Sequence, residues 1–114
     1  GLHTSINDFI KWDQNFYTPK LGKNPAAFHK KMNTPTSQHK AGVSLYAYGQ
    51  FKSTQDGRTV FAHSGGWLGT SAYYARYEDD GFSMITFCNN ADPEGLRQAH
   101  IAIKDLYFNT PISK

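Results

Sequence analysis

The residues with the clearest chemical potential lie in one stretch, His63-Ser64-Gly65-Gly66-Trp67-Leu68-Gly69-Thr70-Ser71, where a histidine closes an apolar, strand-like run and three glycines follow within five residues. Glycine inside a strand weakens it and asks for a reason, most often the close approach of another backbone or a ligand. With no side chain at Gly65 or Gly66, a ligand carbonyl can reach main-chain N–H groups and be held there. The competing reading is a turn between two strands beside a satisfied histidine, and spacing alone leaves both open.

The other reactive residue types are isolated. His3, His29, His39 and His100 share no metal-ligand spacing with one another or with a carboxylate cluster, so neither a metal nor a cofactor is expected. Glu78-Asp79-Asp80-Gly81 reads as a solvated turn. The single cysteine, Cys88, cannot form an internal disulfide, and its apolar setting Ile85-Thr86-Phe87-Cys88 marks a small buried hydrophobe, not a reactive thiol. The tyrosines Tyr46 and Tyr48, and Tyr73-Tyr74 with Tyr77, are read as sheet packing that could also wall a cleft beside the glycines.

These residues must be positioned by a chain of 114 residues that is 39% hydrophobic and 18% charged, with 8 Phe, 7 Tyr and 2 Trp. That composition describes one folded unit with a modest core, not a disordered segment. The net charge of +3 is spread along the chain with one adjacent basic pair, Lys30-Lys31, which is a solvated surface and no nucleic-acid footprint. Apolar runs of four or five residues are too short for a membrane span or a secretion signal.

Ser5-Ile6-Asn7-Asp8 supplies a hydroxyl cap and an early acid, and Ile6, Phe9, Ile10 and Phe16 or Tyr17 follow helical spacing, with Asp13 off pattern, until Thr18-Pro19. A shorter helix is expected over 26–32, between the loop from Lys20 to Pro25 and the break at Asn33-Thr34-Pro35-Thr36-Ser37. Residues 43–51 alternate apolar and polar side chains as one strand. Gln55-Asp56-Gly57-Arg58 signals a tight hairpin, with Thr59-Val60-Phe61-Ala62-His63 as the returning strand. Strands over 70–77 and 82–89 follow, and Asp92-Pro93-Glu94 opens a last helix whose stripe is Leu96, Ala99, His100, Ile103 and Tyr107. The predicted fold is α+β: an antiparallel four-stranded meander flanked by an N-terminal and a C-terminal helix.

The run Gly1-Leu2-His3-Thr4-Ser5-Ile6-Asn7-Asp8-Phe9-Ile10-Lys11-Trp12, then Tyr48-Gly49, His63-Ser64-Gly65-Gly66 and Asn89-Asn90 before the last helix resemble the C-terminal portion of the penicillin-recognising serine hydrolases, which include class C β-lactamases, D-alanyl-D-alanine peptidases and related esterases. The resemblance implies a serine acyl-transfer enzyme with three elements: Ser-x-x-Lys at a helix start, a tyrosine motif in a loop, and Lys-Thr-Gly or His-x-Gly on a strand. His63-Ser64-Gly65 matches the third. By the same resemblance His63 lines the site and steers substrate or steadies developing charge, Ser64 and Gly65 contact substrate, and the Gly66 N–H forms half of an oxyanion hole. Two literal matches fail. Ser37-Gln38-His39-Lys40 runs into a strand, where the nucleophile motif needs a helix to hold serine and lysine on one face, and Tyr107-Phe108-Asn109 follows the strand motif when it should precede it.

The expectation is therefore a single unit, 1–114, that forms the C-terminal part of a larger β-lactamase-like domain whose nucleophile, lysine and tyrosine lie outside it. The isolated chain would be inert, and the whole protein would hydrolyse a β-lactam, D-amino-acid peptide or ester in an extracytoplasmic location. A noncatalytic module that recruits an extended peptide at a strand edge is the alternative. The strand 59–63 is expected to form an exposed edge through which the chain self-associates.

Overall fold

The computed structural model describes residues 2–38 and 44–109. The chain is α+β, with helices α1 (Ile6–Tyr17), α2 (Pro25–Met32) and α3 (Pro93–Asn109) around one antiparallel sheet. Five strands carry the sheet: β2 (Ser44–Ala47), β3 (Gln50–Gln55), β4 (Arg58–Trp67), β5 (Thr70–Tyr77) and β6 (Phe82–Cys88). A two-residue strand, β1 (Ser37–Gln38), pairs with the outer side of β2. The strand order follows the chain throughout, so every connection between strands is local.

The α1 cap forms as its sequence dictates: the Ser5 hydroxyl accepts from the Asp8 N–H, and Asp8 in turn pairs with Lys11. Asn24 caps α2 in the same way, with Pro25 at its first position. The hairpin at Asp56-Gly57 has both central residues at positive φ, 51° and 76°, the geometry that matches strand twist.

The predicted strand 43–51 is two strands. A second hairpin turns at Tyr48-Gly49, φ 37° and 85°, and pairs Tyr46 with Phe51 and Ala47 with Gln50. Positive φ is costly for a bulky side chain, and Tyr48 lacks the Asn or Asp identity that would have announced the turn. The four-stranded meander is thus corrected to five full strands plus β1. The first residue of the predicted strand, Val43, lies outside the described residues, as do His39 and Lys40.

The expected edge at 59–63 is also corrected. β4 lies between β3 and β5, paired to β3 from Gln55↔Arg58 to Phe51↔Ala62 and to β5 from Phe61↔Arg76 to Trp67↔Thr70. Val60 and Ala62 are core residues, 0% and 8% exposed. The edge begins only at His63, because β3 ends while β4 and β5 continue as a pair.

Alternation along β5 assigns the two faces. Ala75 and Tyr77 join Val60 and Ala62 in a core packed by Tyr73, Phe82 and Phe108, under α3. Tyr74 and Arg76 face α1 and α2. Arg76 is fully buried, its guanidinium carbon 3.5 Å from the Phe16 ring centroid. It donates to Asn33 Oδ1 (2.8 Å), Tyr74 Oη (3.1 Å) and Glu78 Oε2 (3.1 Å). Tyr74 Oη donates to Asp13 Oδ1 at 2.6 Å, and His29 Nε2 lies 2.6 Å from Glu78 Oε1. One buried arginine therefore joins both helices to the sheet, with each charge partnered as burial requires. Asp13, off the apolar stripe, is the α1 end of this network. Glu78 turns inward, so the acidic turn is only partly solvated, and Asp80 pairs with Arg58.

Candidate functional site

β4 runs without a break through Ser64, Gly65 and Gly66 to Trp67, and the chain reverses afterwards, at Leu68-Gly69. The turn reading of the glycines is thereby removed. Neither Gly65 nor Gly66 has the positive φ that would require glycine, and an added Cβ would sit 3.5 Å from Ala72 Cβ at the first and 3.9 Å from the Thr70 carbonyl at the second, which are ordinary contacts. Backbone geometry and packing thus leave room for larger residues at both positions.

In register, His63 faces Tyr74, Ser64 faces Tyr73, Gly65 faces Ala72 and Gly66 faces Ser71. Among the described residues no strand pairs with 63–67 on the β3 side, so Ser64 and Gly66, which share one parity, turn their peptide groups to that open side. The exposed His63 ring stacks on Phe51 with centroids 5.6 Å apart and an interplanar angle of 21°, and lies 6.2 Å from Tyr46. Its Nδ1 faces the Ser64 carbonyl at 2.5 Å. A carbonyl accepts only, so Nδ1 carries the proton, and in neutral imidazole Nε2 is left as an acceptor.

These residues border an open concavity of about 1060 Å³. Its floor is β4 and β5, from His63 to Trp67 and from Thr70 to Tyr74. One wall is α1, through Phe9 and Trp12, with Phe87 and Cys88 of β6; the other is the Tyr48-Gly49 hairpin and Gln50. Phe9 packs edge-on against Tyr74 and Phe87, 4.9 and 5.8 Å between centroids, which fixes the wall. Burial pushes the Tyr73 and Tyr74 phenols above their ordinary range, so both remain neutral hydrogen-bonding groups.

The structure brings all four predicted residues, His63, Ser64, Gly65 and Gly66, to one concave surface. Cys88 is half-buried and lines that surface instead of lying sealed in the core. The other two matches are placed elsewhere. Ser37 lies in strand β1, not on a helix, and Tyr107 stacks on Phe82 at 4.0 Å while Phe108 packs in the core, so Tyr107-Phe108-Asn109 is a packing segment of α3. Tyr48, one of the tyrosines that could wall a cleft, does line it, and Phe9, Trp12, Gln50 and Trp67 join it without a distinct signal in the sequence, because aromatic residues at helical or strand spacing first signal packing. The exposed Trp67, beside the glycines and 74% exposed, was the available hint.

Among the described residues no group of three or more His, Cys, Asp or Glu side chains is arranged to hold a metal ion, and no helix is long and apolar enough to cross a membrane. No protein-family model, no curated protein and no solved structure matches this chain.

Proposed function

We propose that this chain is the C-terminal part of a β-lactamase-like serine hydrolase, and that β4 from His63 to Gly66 is its substrate-binding strand. One observation carries the reading: two adjacent glycines occupy the half-paired end of a strand, facing a cleft, where neither backbone conformation nor packing demands glycine. Peptide N–H groups bare of side chains are what a reacting carbonyl needs if its oxygen is to be held as negative charge develops.

In this reading a serine outside the chain attacks an ester or amide carbonyl. The serine oxygen bonds to the acyl carbon, the alcohol or amine departs with a proton, and water then releases the acid and restores the serine. The Gly66 N–H would contribute half of the oxyanion site, Ser64 and Gly65 would contact substrate, and His63 would steer it through Nε2. An extracytoplasmic location goes with this assignment. The half-paired segment 63–67 also suits a noncatalytic module that adds a peptide strand, since unpaired ladder groups recruit extended chains.

Serine labelling separates the two. A fluorophosphonate should leave the isolated chain unmodified by intact mass and should label the longer protein at a serine outside residues 1–114. A stoichiometric adduct at Ser37 or Ser64 refutes the assignment, and a longer protein that labels nowhere favours the binding module.

A further inference from the structure

The charge of the cleft narrows what it can hold. No Lys, Arg, Asp or Glu is among its described lining residues. Two cations stand beside lining residues without joining the lining. Lys31 Nζ sits 5.5 Å from the centroid of the Tyr48 ring, and Arg76 is fully buried and bound to Asn33, Tyr74 and Glu78. The lining imidazoles are His3 and His63, and His63 gives its Nδ1–H to the Ser64 carbonyl. A carboxylate placed there would lose water and meet no Lys or Arg among the described lining residues, whereas an ester or amide meets peptide groups and hydroxyls that can satisfy it.

The walls supply the complementary preference. Phe9, Trp12, Tyr48, Trp67, Tyr74 and Phe87 present ring surface to the cleft, and Trp67 is mostly exposed in the absence of an occupant. Pockets for small organic ligands are typically a few hundred to about 1,000 Å³, so a cleft of about 1060 Å³ accepts a bulky group.

We propose that the cleft selects uncharged acyl compounds, esters or amides that carry an aromatic or bulky apolar group and lack a carboxylate. This rests on the acyl-transfer reading above for the orientation of the carbonyl toward Gly66, and it divides the substrate classes that reading leaves together: β-lactams and free-carboxylate peptides are disfavoured, neutral esters and amides favoured.

The test is a matched pair differing only in the terminal group, N-acetylphenylalanine amide and N-acetylphenylalanine, titrated at pH 8 into the 114-residue chain. Both of the chain's tryptophans, Trp12 and Trp67, line the cleft, so indole emission reports occupancy directly. The amide should bind at least tenfold more tightly than the acid. Trp67→Ala should weaken the amide, and His63→Lys, at an exposed position, should bring the acid to within about threefold of the amide. Equal or tighter binding of the acid overturns the proposal, and so does an emission unchanged by either compound. Serine labelling is independent of this preference, so a failed hydrolase assignment and a failed neutral-ligand assignment give different results.

Discussion

Replacing Gly66 with valine should stabilise the fold while disabling the site. A glycine in a strand interior costs roughly 0.5–1 kcal/mol relative to alanine, and valine is favoured further on a pleated surface within a scale spanning about 1 kcal/mol. The structure leaves room for that gain. The nearest atom to a built Cβ at Gly66 is the Thr70 carbonyl oxygen at 3.9 Å, and φ is not in the left-handed region. The expected change is a stabilisation of about 0.5–1 kcal/mol, which for a domain of this size raises Tm by roughly 2–4 °C. A valine side chain at 66, on the Val60 and Ala62 face of β4, would crowd the approach to its own N–H at the half-paired strand end, so acyl turnover by the longer protein should fall on the order of a hundredfold, the usual cost of losing one oxyanion donor. Circular dichroism melting of the chain and steady-state turnover of the longer protein measure the two effects. Refutation takes either of two forms: destabilisation by more than about 1 kcal/mol, which would make the glycine structural, or a raised Tm with turnover intact, which would place the reacting carbonyl elsewhere. A rise in Tm with loss of turnover is the stability–function opposition expected where a site is kept at the fold's expense.

Two further predictions concern the scaffold. Arg76→Met should destabilise the chain by about 3–5 kcal/mol, because Glu78 loses its buried cationic partner and the Asn33 and Tyr74 oxygens each lose one donor; denaturant melts should show Glu78→Gln costing less in the Arg76→Met background than alone, and additive losses would mean the two side chains are uncoupled. His100 is buried against Tyr73, ring centroids 4.3 Å apart, with Nδ1 lacking a partner, and burial, with a smaller contribution from Lys104, pushes it down to about 4 from an ordinary 6.5. The unfolded chain therefore takes the proton first, so this contribution to stability is whole above about pH 6.5 and is lost as pH falls toward 4, at up to about 1.4 kcal/mol per unit. His100→Phe keeps the ring contact and should flatten urea-measured stability between pH 7 and 5; an unchanged slope would refute the assignment.

The local elements were legible because their signals are themselves short-range. Ser5 and Asp56-Gly57 each act on backbone groups a few residues away, and each forms the structure its chemistry specifies, while α2 opens at Pro25 under an Asn24 cap where the sequence reads as loop. The misreadings arise where a distant partner overrides the local pattern. Tyr46, Tyr48 and the residues around them alternate as one strand would, yet the chain reverses at Tyr48-Gly49, which lets β2 pair with β3. Asp13 and Glu78 look like surface acids until Arg76, 63 residues beyond Asp13, is folded between two helices and the sheet. The extent of pairing is likewise set across the sheet, so the edge expected at 59–63 begins only at His63, where β3 stops opposite Ala62.

The same distinction explains the site. Its four motif residues are contiguous and were found together, whereas its walls come from α1, the unforeseen hairpin and β6. The correction at Tyr48-Gly49 is therefore more than a strand count. It ends β3 short of His63, leaves the peptide groups of Ser64 and Gly66 on an open side, and sets Tyr48 in the lining of the cleft beside them. A bulky residue held at φ 37° is a local cost of about 1 kcal/mol or more. In this fold that cost coincides with the feature that opens the glycine strand to the cleft.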